Sequence, residues 1–279
     1  MNSGVEISPM TEADLAFATK CTDIEKWGYL PDDFRCLMLF QPGGCFVARS
    51  KGRRIGIVTT TGYGRYGFIG SLIVLRKYRG AGAGELLMRQ AIDHLEDRGV
   101  TTMELDGVFE AVSLYRRLGF VDKYHSLRFH RPPQKLRGRS SAARVPRLDE
   151  LLKYDKGRTS ISRGHILEHY YGQGGHWFLA VGAKAISGYA LVRPRPDAHV
   201  VVGPMVADDL KSCRTLMHAV LAGYGQNAIA MSVPETNREM VDLVRSLGFR
   251  SSTPSLRMYR GRRKNYEKHL RAILSPEKG

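Results

Sequence analysis

Val74-Leu-Arg-Lys-Tyr-Arg79-Gly80-Ala81-Gly82-Ala83-Gly84-Glu-Leu-Leu87 is where an apolar strand ends and a glycine-rich turn opens a helix. The first N–H groups of a helix have no intrahelical partner, and the macrodipole adds positive potential there. Small residues let those N–H groups approach an anion closely, so the stretch has the make-up of a phosphate cradle. Arg79 adds a formal charge at its mouth. A plain tight turn is the plainer alternative. The spacing Arg79-x-x-Gly82-x-Gly84 is neither the G-x-G-x-x-G of dinucleotide sites nor the Gly-Lys-Ser/Thr of triphosphate loops.

The flanking sequence alternates strands and helices. Residues 45–61 read as a hairpin, with CFVARS and RIGIVTTT joined at Lys51–Gly52. A third strand covers Gly67–Val74. The spacing of Leu87, Met88, Ala91, Ile92 and Leu95 predicts a helix from about Gly82 to Asp97, stopped by Gly99. Thr102–Asp106 is the next strand, and Glu110–Leu118 a short helix before Gly119-Phe120. The fold class expected is α/β, with a mixed sheet.

Residues 131–147 (RPPQKLRGRSSAARVPR) lose all periodicity and read as a basic linker. The sequence then repeats itself. Arg117–Phe120 reads RLGF and Ser246–Phe249 reads SLGF, 129 positions on. The same offset lays Leu87 on Leu216, Met88 on Met217, Ile92 on Leu221 and Leu114 on Leu243. One fold used twice is the reading, with domains at 1–130 and 148–279.

The loop, the strand ending in Val74, and Leu114-Tyr115-Arg-Arg-Leu-Gly119-Phe120 together resemble the GNAT superfamily of N-acetyltransferases. The resemblance covers residues 5–130. The second half, with Gly188-Tyr-Ala-Leu, Val202-Gly203-Pro204 and Arg257-Met258-Tyr-Arg-Gly261, is similar to the second domain of a tandem-GNAT subfamily. The resemblance implies an acyl-CoA cosubstrate, expected to be acetyl-CoA. Its pantetheine arm would lie against Leu72, Ile73 and Val74. Its pyrophosphate would sit on the N–H groups of Arg79, Gly80, Ala81, Gly82, Ala83 and Gly84. Tyr115 would point at the thioester sulfur.

Amide formation from a thioester needs a neutral amine, a stabilised oxyanion and a protonated thiolate. Tyr115 is the candidate general acid, against the alternative of a tyrosine that only packs the core. By family analogy the Val74 N–H holds the oxyanion. Some relatives place a glutamate base on the strand before the loop; here that position is Phe68. Asp106 is the first substitute, although a structural cap on the next helix is the reading its position favours. Glu104 shares its face, and His125, His165 and His169 stay open. Trp27, Asp32 and Tyr63, with Tyr29, Asp33 and Tyr66 beside them, are candidate acceptor-site residues. They could instead be core aromatics and helix-start acids.

The second copy departs from the pattern. The offset puts Asp208 and Asp209 where Arg79 and Gly80 stand, Lys211 and Cys213 at Gly82 and Gly84, and Val244 at Tyr115. The first domain is therefore expected to be catalytic and the second degenerate.

The net charge is +16, concentrated in residues 128–147 and 257–271. These stretches read either as solvated basic surfaces or as anion-binding ones. Hydrophobic content of 43% and charged content of 25% are globular values. No run of about 18 apolar residues suggests a membrane span. The N-terminus does not read as a secretory signal, and four unpaired-looking cysteines suggest reduced thiols and a cytoplasmic setting. No metal-ligand spacing is evident. The function expected is N-acetylation of a small-molecule primary amine. The alternatives are acetylation of a protein amine, and a non-catalytic nucleic-acid-associated role for the basic stretches.

Overall fold

A computed structural model describes residues 4–134, 146–182, 185–196 and 198–279. Most of the basic linker, including Lys135, Arg137, Arg139 and Arg144, lies outside the described residues. The chain divides into two compact units. The first comprises the chain up to Val121 together with Met258–Arg263 and Pro276–Gly279; the second comprises Asp122–Arg257 and Lys264–Ser275. These are not the boundaries expected from the sequence. Residues 122–130, expected at the end of the first domain, cluster with the second unit, while 258–263 and 276–279 cluster with the first. Strand pairing decides this grouping, and a linear reading of composition carries no trace of it.

In the first unit, β1 (Val5–Pro9), β2 (Cys45–Ser50), β3 (Arg53–Tyr63) and β4 (Tyr66–Val74) run antiparallel in that order. Lys51 and Gly52, at φ 48° and 72°, make the β2–β3 turn, the left-handed pair that a two-residue hairpin needs. β5 (Thr102–Gly107) joins β4 in parallel. Helices α1 (Leu15–Ile24) and α2 (Pro31–Phe40) cover one face, where Leu15, Ala18, Cys21, Phe34 and Leu37 pack on Cys45, Val47, Ile57 and Ile73. On the other face lies α3 (Ala83–Glu96), with Leu87, Met88, Ala91, Ile92 and Leu95 all buried, as its 3.6-residue period requires. Leu95 meets Gly67, and Leu87 meets Gly56. α4 (Val112–Arg117) follows β5.

The second unit holds β6 (Val121–Arg131), from Asp122 on. After it come α5 (Leu148–Thr159), α6 (Gly164–Gly172), β7 (His176–Val181), β8 (Ile186–Arg195) and β9 (His199–Ala207). Then follow α7 (Leu210–Tyr224), β10 (Ala228–Pro234), α8 (Arg238–Ser246), β11 (Arg250–Ser251), β12 (Ser255–Gly261), which belongs to this unit only as far as Arg257, and β13 (Leu270–Ala272). The strand order is β6-β10-β9-β8-β7, with β10 parallel to β9, β11 on β6 and β13 on β9. Its core gathers Val192, Val202, Met205, Leu216, Met217, Val220 and Leu243. Leu216, Met217, Leu221 and Leu243, aligned by the sequence offset, are all buried.

The basic stretches are less of a surface than their composition suggests. Arg257 is fully buried and donates to the Tyr266 hydroxyl at 2.8 Å. Arg271 is buried on Asn237, and Arg131 on the Leu247 carbonyl. These three charges are turned inward onto internal hydrogen bonds, while Arg262, Arg263 and Lys268 are exposed. All four cysteines are free. Burial pushes the thiols of Cys21 and Cys45 up to about 12 and that of Cys213 to about 11, which keeps them protonated and inert. Among the described residues no helix is long and apolar enough to cross a membrane.

Candidate functional site

The loop makes the expected glycine turn into a helix. Gly80 and Gly82 adopt φ of 82° and 85°, and Gly82 is the residue that opens α3. These left-handed positions favour glycine. A Cβ on either would meet nothing within 4 Å, so the loop's outer side is open to a ligand. Gly84 faces inward, against Leu114 and Val74. The first-turn N–H groups of α3 point out of this open mouth. Arg79 plays a different part from that of a free cation. Its Nε donates to the Val74 carbonyl at 2.7 Å and its NH2 group to Glu25 at 2.5 Å, so it ties the loop to the end of β4.

Next to the loop, two parallel strands separate. β4 and β5 pair from Tyr66 opposite Thr102 to Ile69 opposite Leu105. β4 then continues to Val74 on β3, and the slot between β4 and β5 begins at Gly70. A bulge sits at this point. Ile57 is opposite Ile73 and Thr59 opposite Gly70, so one residue of β3 faces Ser71 and Leu72 of β4. Ser71 takes a φ of 50° to make it. The bulge reverses the alternation, putting Gly70 and Ile73 on the same face. Nothing in the sequence signals it, because serine stands where glycine would have given it away.

Tyr115 is buried, with its ring against Gly107, where a Cβ would come within 2.7 Å of Cε2. Phe120 stands edge-on to it at 6.4 Å. Burial raises the phenol above its ordinary 10, so it stays a neutral donor at any physiological pH. Asp106 follows Leu105, the last residue of β5 paired with β4. Alternation places it with Glu104, the residue opposite Phe68, on the face away from α3. The helical turns that follow start at Val108 and Ala111. His125, His165 and His169 all lie in the second unit, where His125 is bonded to Glu235.

The candidate acceptor residues divide. Tyr63 is buried, stacked on Tyr66 at 5.8 Å, and its hydroxyl donates to the Lys278 carbonyl. Trp27 is half-buried and packs toward Tyr29 at 6.3 Å. Asp32 is 81% exposed and pairs with Arg35, while Asp33 accepts from the Leu30 N–H at the start of α2. These two are helix-start acids. Sequence reading missed Pro276–Gly279, which packs into the first unit. Glu277 lies against Gly70, accepts from the Tyr29 hydroxyl and binds the Lys278 ammonium. A polar tetrapeptide some 200 positions from β4 carries no local signal of this.

The second unit closes both features. Asp209 caps α7 by accepting from the Ser212 N–H at 2.7 Å, so a carboxylate already occupies that helix N-terminus. Asp208 is gripped by Arg158 at 2.5 and 3.1 Å and by Tyr154 at 3.0 Å. β9 and β10 part after Met231 opposite Val202, and β13 fills the opening. It pairs Leu270 with Val206 and Ala272 with Met205, and the Ile273 N–H reaches the Ser232 carbonyl at 3.0 Å. Val244 is buried in the core.

The profile of the Acetyltransferase (GNAT) family matches residues 13–120, and that of an Acetyltransferase (GNAT) domain matches 151–271. Holothin acyltransferase of Pseudoalteromonas sp. (strain SANK 73390) is 26% identical over 262 residues, covering 91% of this chain and 88% of that protein. The N-alpha-acetyltransferase MAK3 of Arabidopsis thaliana is 34% identical over 95 residues, covering 32% of this chain and 50% of that protein. A crystal structure of a putative acetyltransferase from Pyrococcus horikoshii has the same fold, with a TM-score of 0.81 at 23% identity over 99% of this chain and 96% of that one. The chain belongs to the GNAT acetyltransferase family, with two such domains in tandem, and is an acyltransferase.

Proposed function

We propose that the first unit carries the chemistry and acetylates a primary amine of a small molecule, with acetyl-CoA as donor. The observation that carries this reading is the contrast between two copies of one fold. In the first unit the α3 N-terminus is open and the slot beside β4 lies next to a buried tyrosine. In the second, a carboxylate caps α7 and β13 fills the slot. The thioester supplies the activated acyl group. Backbone groups of Leu72, Ile73 and Val74 would hold the pantetheine arm, and the N–H groups of residues 79–84 the pyrophosphate. The Val74 N–H would face the oxyanion, Tyr115 would protonate the departing sulfur, and Asp106 would stand on the acceptor side.

A small acceptor is favoured by the enclosure of the acceptor side under α1, α2 and Tyr29. The full-length relative that acts on holothin points the same way. The N-alpha-acetyltransferase likeness keeps a protein amine as the second reading. The test is a panel of small amines and of peptides with free N-termini, offered with acetyl-CoA and followed by thiol release. Turnover of small amines supports the first reading. Turnover of peptides alone would replace it with the second. No melting shift with any short acyl-CoA would end both.

A further inference from the structure

The acceptor side of the slot is lined by groups that share one face of the sheet. Thr59 stands opposite Gly70 and Thr61 opposite Phe68, and alternation adds Glu104 and Asp106 on β5. Thr60, between the two threonines, turns the other way and bonds the Gly44 carbonyl. The hydroxyls of Thr59, Thr61 and Ser71 are buried with no hydrogen-bond partner among the described residues. Leaving a buried hydroxyl unmet is destabilising. Thr59 and Thr61, on the face of Phe68 and Gly70, are hydroxyls that a polar ligand on that face would satisfy.

Glu277 enters this face from far along the chain. A Cβ on Gly70 would stand 2.6 Å from both Cα and Cβ of Glu277, so the glycine is what admits the segment. One carboxylate oxygen accepts from the Tyr29 hydroxyl, and the other holds the ammonium of Lys278. Tyr63 fixes the main chain at the Lys278 carbonyl. Glu277 and Lys278 are 2% and 1% exposed. β4 itself offers only Phe68 at the position where a carboxylate base would be sought. A carboxylate is nevertheless present two residues further along, and it has a primary ammonium bound to it.

We propose that Glu277 is the acceptor-side carboxylate of this enzyme, binding the ammonium of the incoming amine and taking its proton. The proposal rests on the first unit being catalytic. Lys278 occupies the seat that the acceptor takes, and must swing off Glu277 when the amine enters. The proton balance is complete. The ammonium gives one proton to the Glu277 carboxylate, and the neutral nitrogen attacks the thioester carbon. The N–C bond forms and the C–S bond breaks. The thiolate takes the Tyr115 proton, and the second proton leaving nitrogen restores it. Glu277 returns its own proton to solvent.

Three variants test this, each checked first for an acetyl-CoA melting shift. Glu277→Gln keeps the shape and removes the charge. It is expected to keep the melting shift and to lose about 10²- to 10⁴-fold in kcat/KM for the amine. Glu277→Asp is expected to recover part of that loss. Lys278→Met vacates the seat and is expected to lower KM for the amine several-fold. Full turnover in Glu277→Gln, with the shift intact, would overturn the proposal. So would an acetyl group found by mass spectrometry on Lys278 together with loss of turnover in Lys278→Met, because the lysine would then be the acceptor. A wild-type protein with no acetyl-CoA shift would instead remove the functional reading on which the proposal stands.

Discussion

Tyr115 and His94 show how single side chains take their character from burial. Burial holds the Tyr115 phenol neutral, so it contributes no ionisation to the rate profile below pH 10. Tyr115→Phe should cut turnover roughly 10²- to 10⁴-fold and leave the acetyl-CoA melting shift intact. Unchanged turnover would take Tyr115 out of the mechanism. His94, on α3 between Gln41 and Arg98, is drawn down from 6.5 to about 4 by burial, and the Arg98 charge adds to this. Its folded-state value lies below the unfolded one, so between pH 6.5 and 4 the unfolded chain binds a proton that the folded chain refuses. Stability is then full above pH 6.5 and falls by about 3 kcal/mol as the pH drops to 4. Denaturant titrations at several pH values should show this slope, and His94→Leu should flatten it. Tyr115 stood out as a candidate because its motif is local. The burial of His94 was not legible, because Gly44, Gln41 and Phe46 reach it from other elements.

At the scale of the element, the α3 N-terminus is the most legible part of the site. Its glycine spacing, the strand before it and the apolar stripe after it are all written locally. Gly82→Glu would force a side chain onto a φ of 85° and place a carboxylate at the open start of α3. The acetyl-CoA melting shift should vanish while the fold persists. A retained shift would mean that the pyrophosphate sits elsewhere. Leu87→Ala, in the packed face of the same helix, should cost about 2–5 kcal/mol by denaturant titration. β4 was legible as a strand but not as a bulged one. The family pattern singled out Phe68 as the position of a base, and it could not show that the alternation reverses after Gly70.

The whole molecule uses one fold twice and spends it differently each time. The duplication was readable from the two LGF sequences and the common offset. The grouping of strands into units was not, because it depends on which strands pair. The expectation that the second copy is silent began with Asp208; in the structure Asp209 caps α7 and β13 pairs with β9. Asp208→Ala should leave acetyl-CoA affinity unchanged in a binding titration. It should lower stability by about 1 kcal/mol, as Arg158 and Tyr154 lose a partly exposed partner. A drop in affinity would show that the second unit holds cosubstrate after all.

The filled opening in the second unit bears on the time for which its amides stay closed. β13 hydrogen-bonds the backbone of β9 with no ligand needed, whereas in the first unit the pairing of β4 with β5 stops at Ile69. The amides from Ser71 to Val74 should therefore slow their hydrogen–deuterium exchange when acetyl-CoA enters. Those of Met205 to Ala207 should be slow from the outset and indifferent to it. One copy of the fold is closed by its own chain, and in the other the exchange experiment reads whether cosubstrate does the closing.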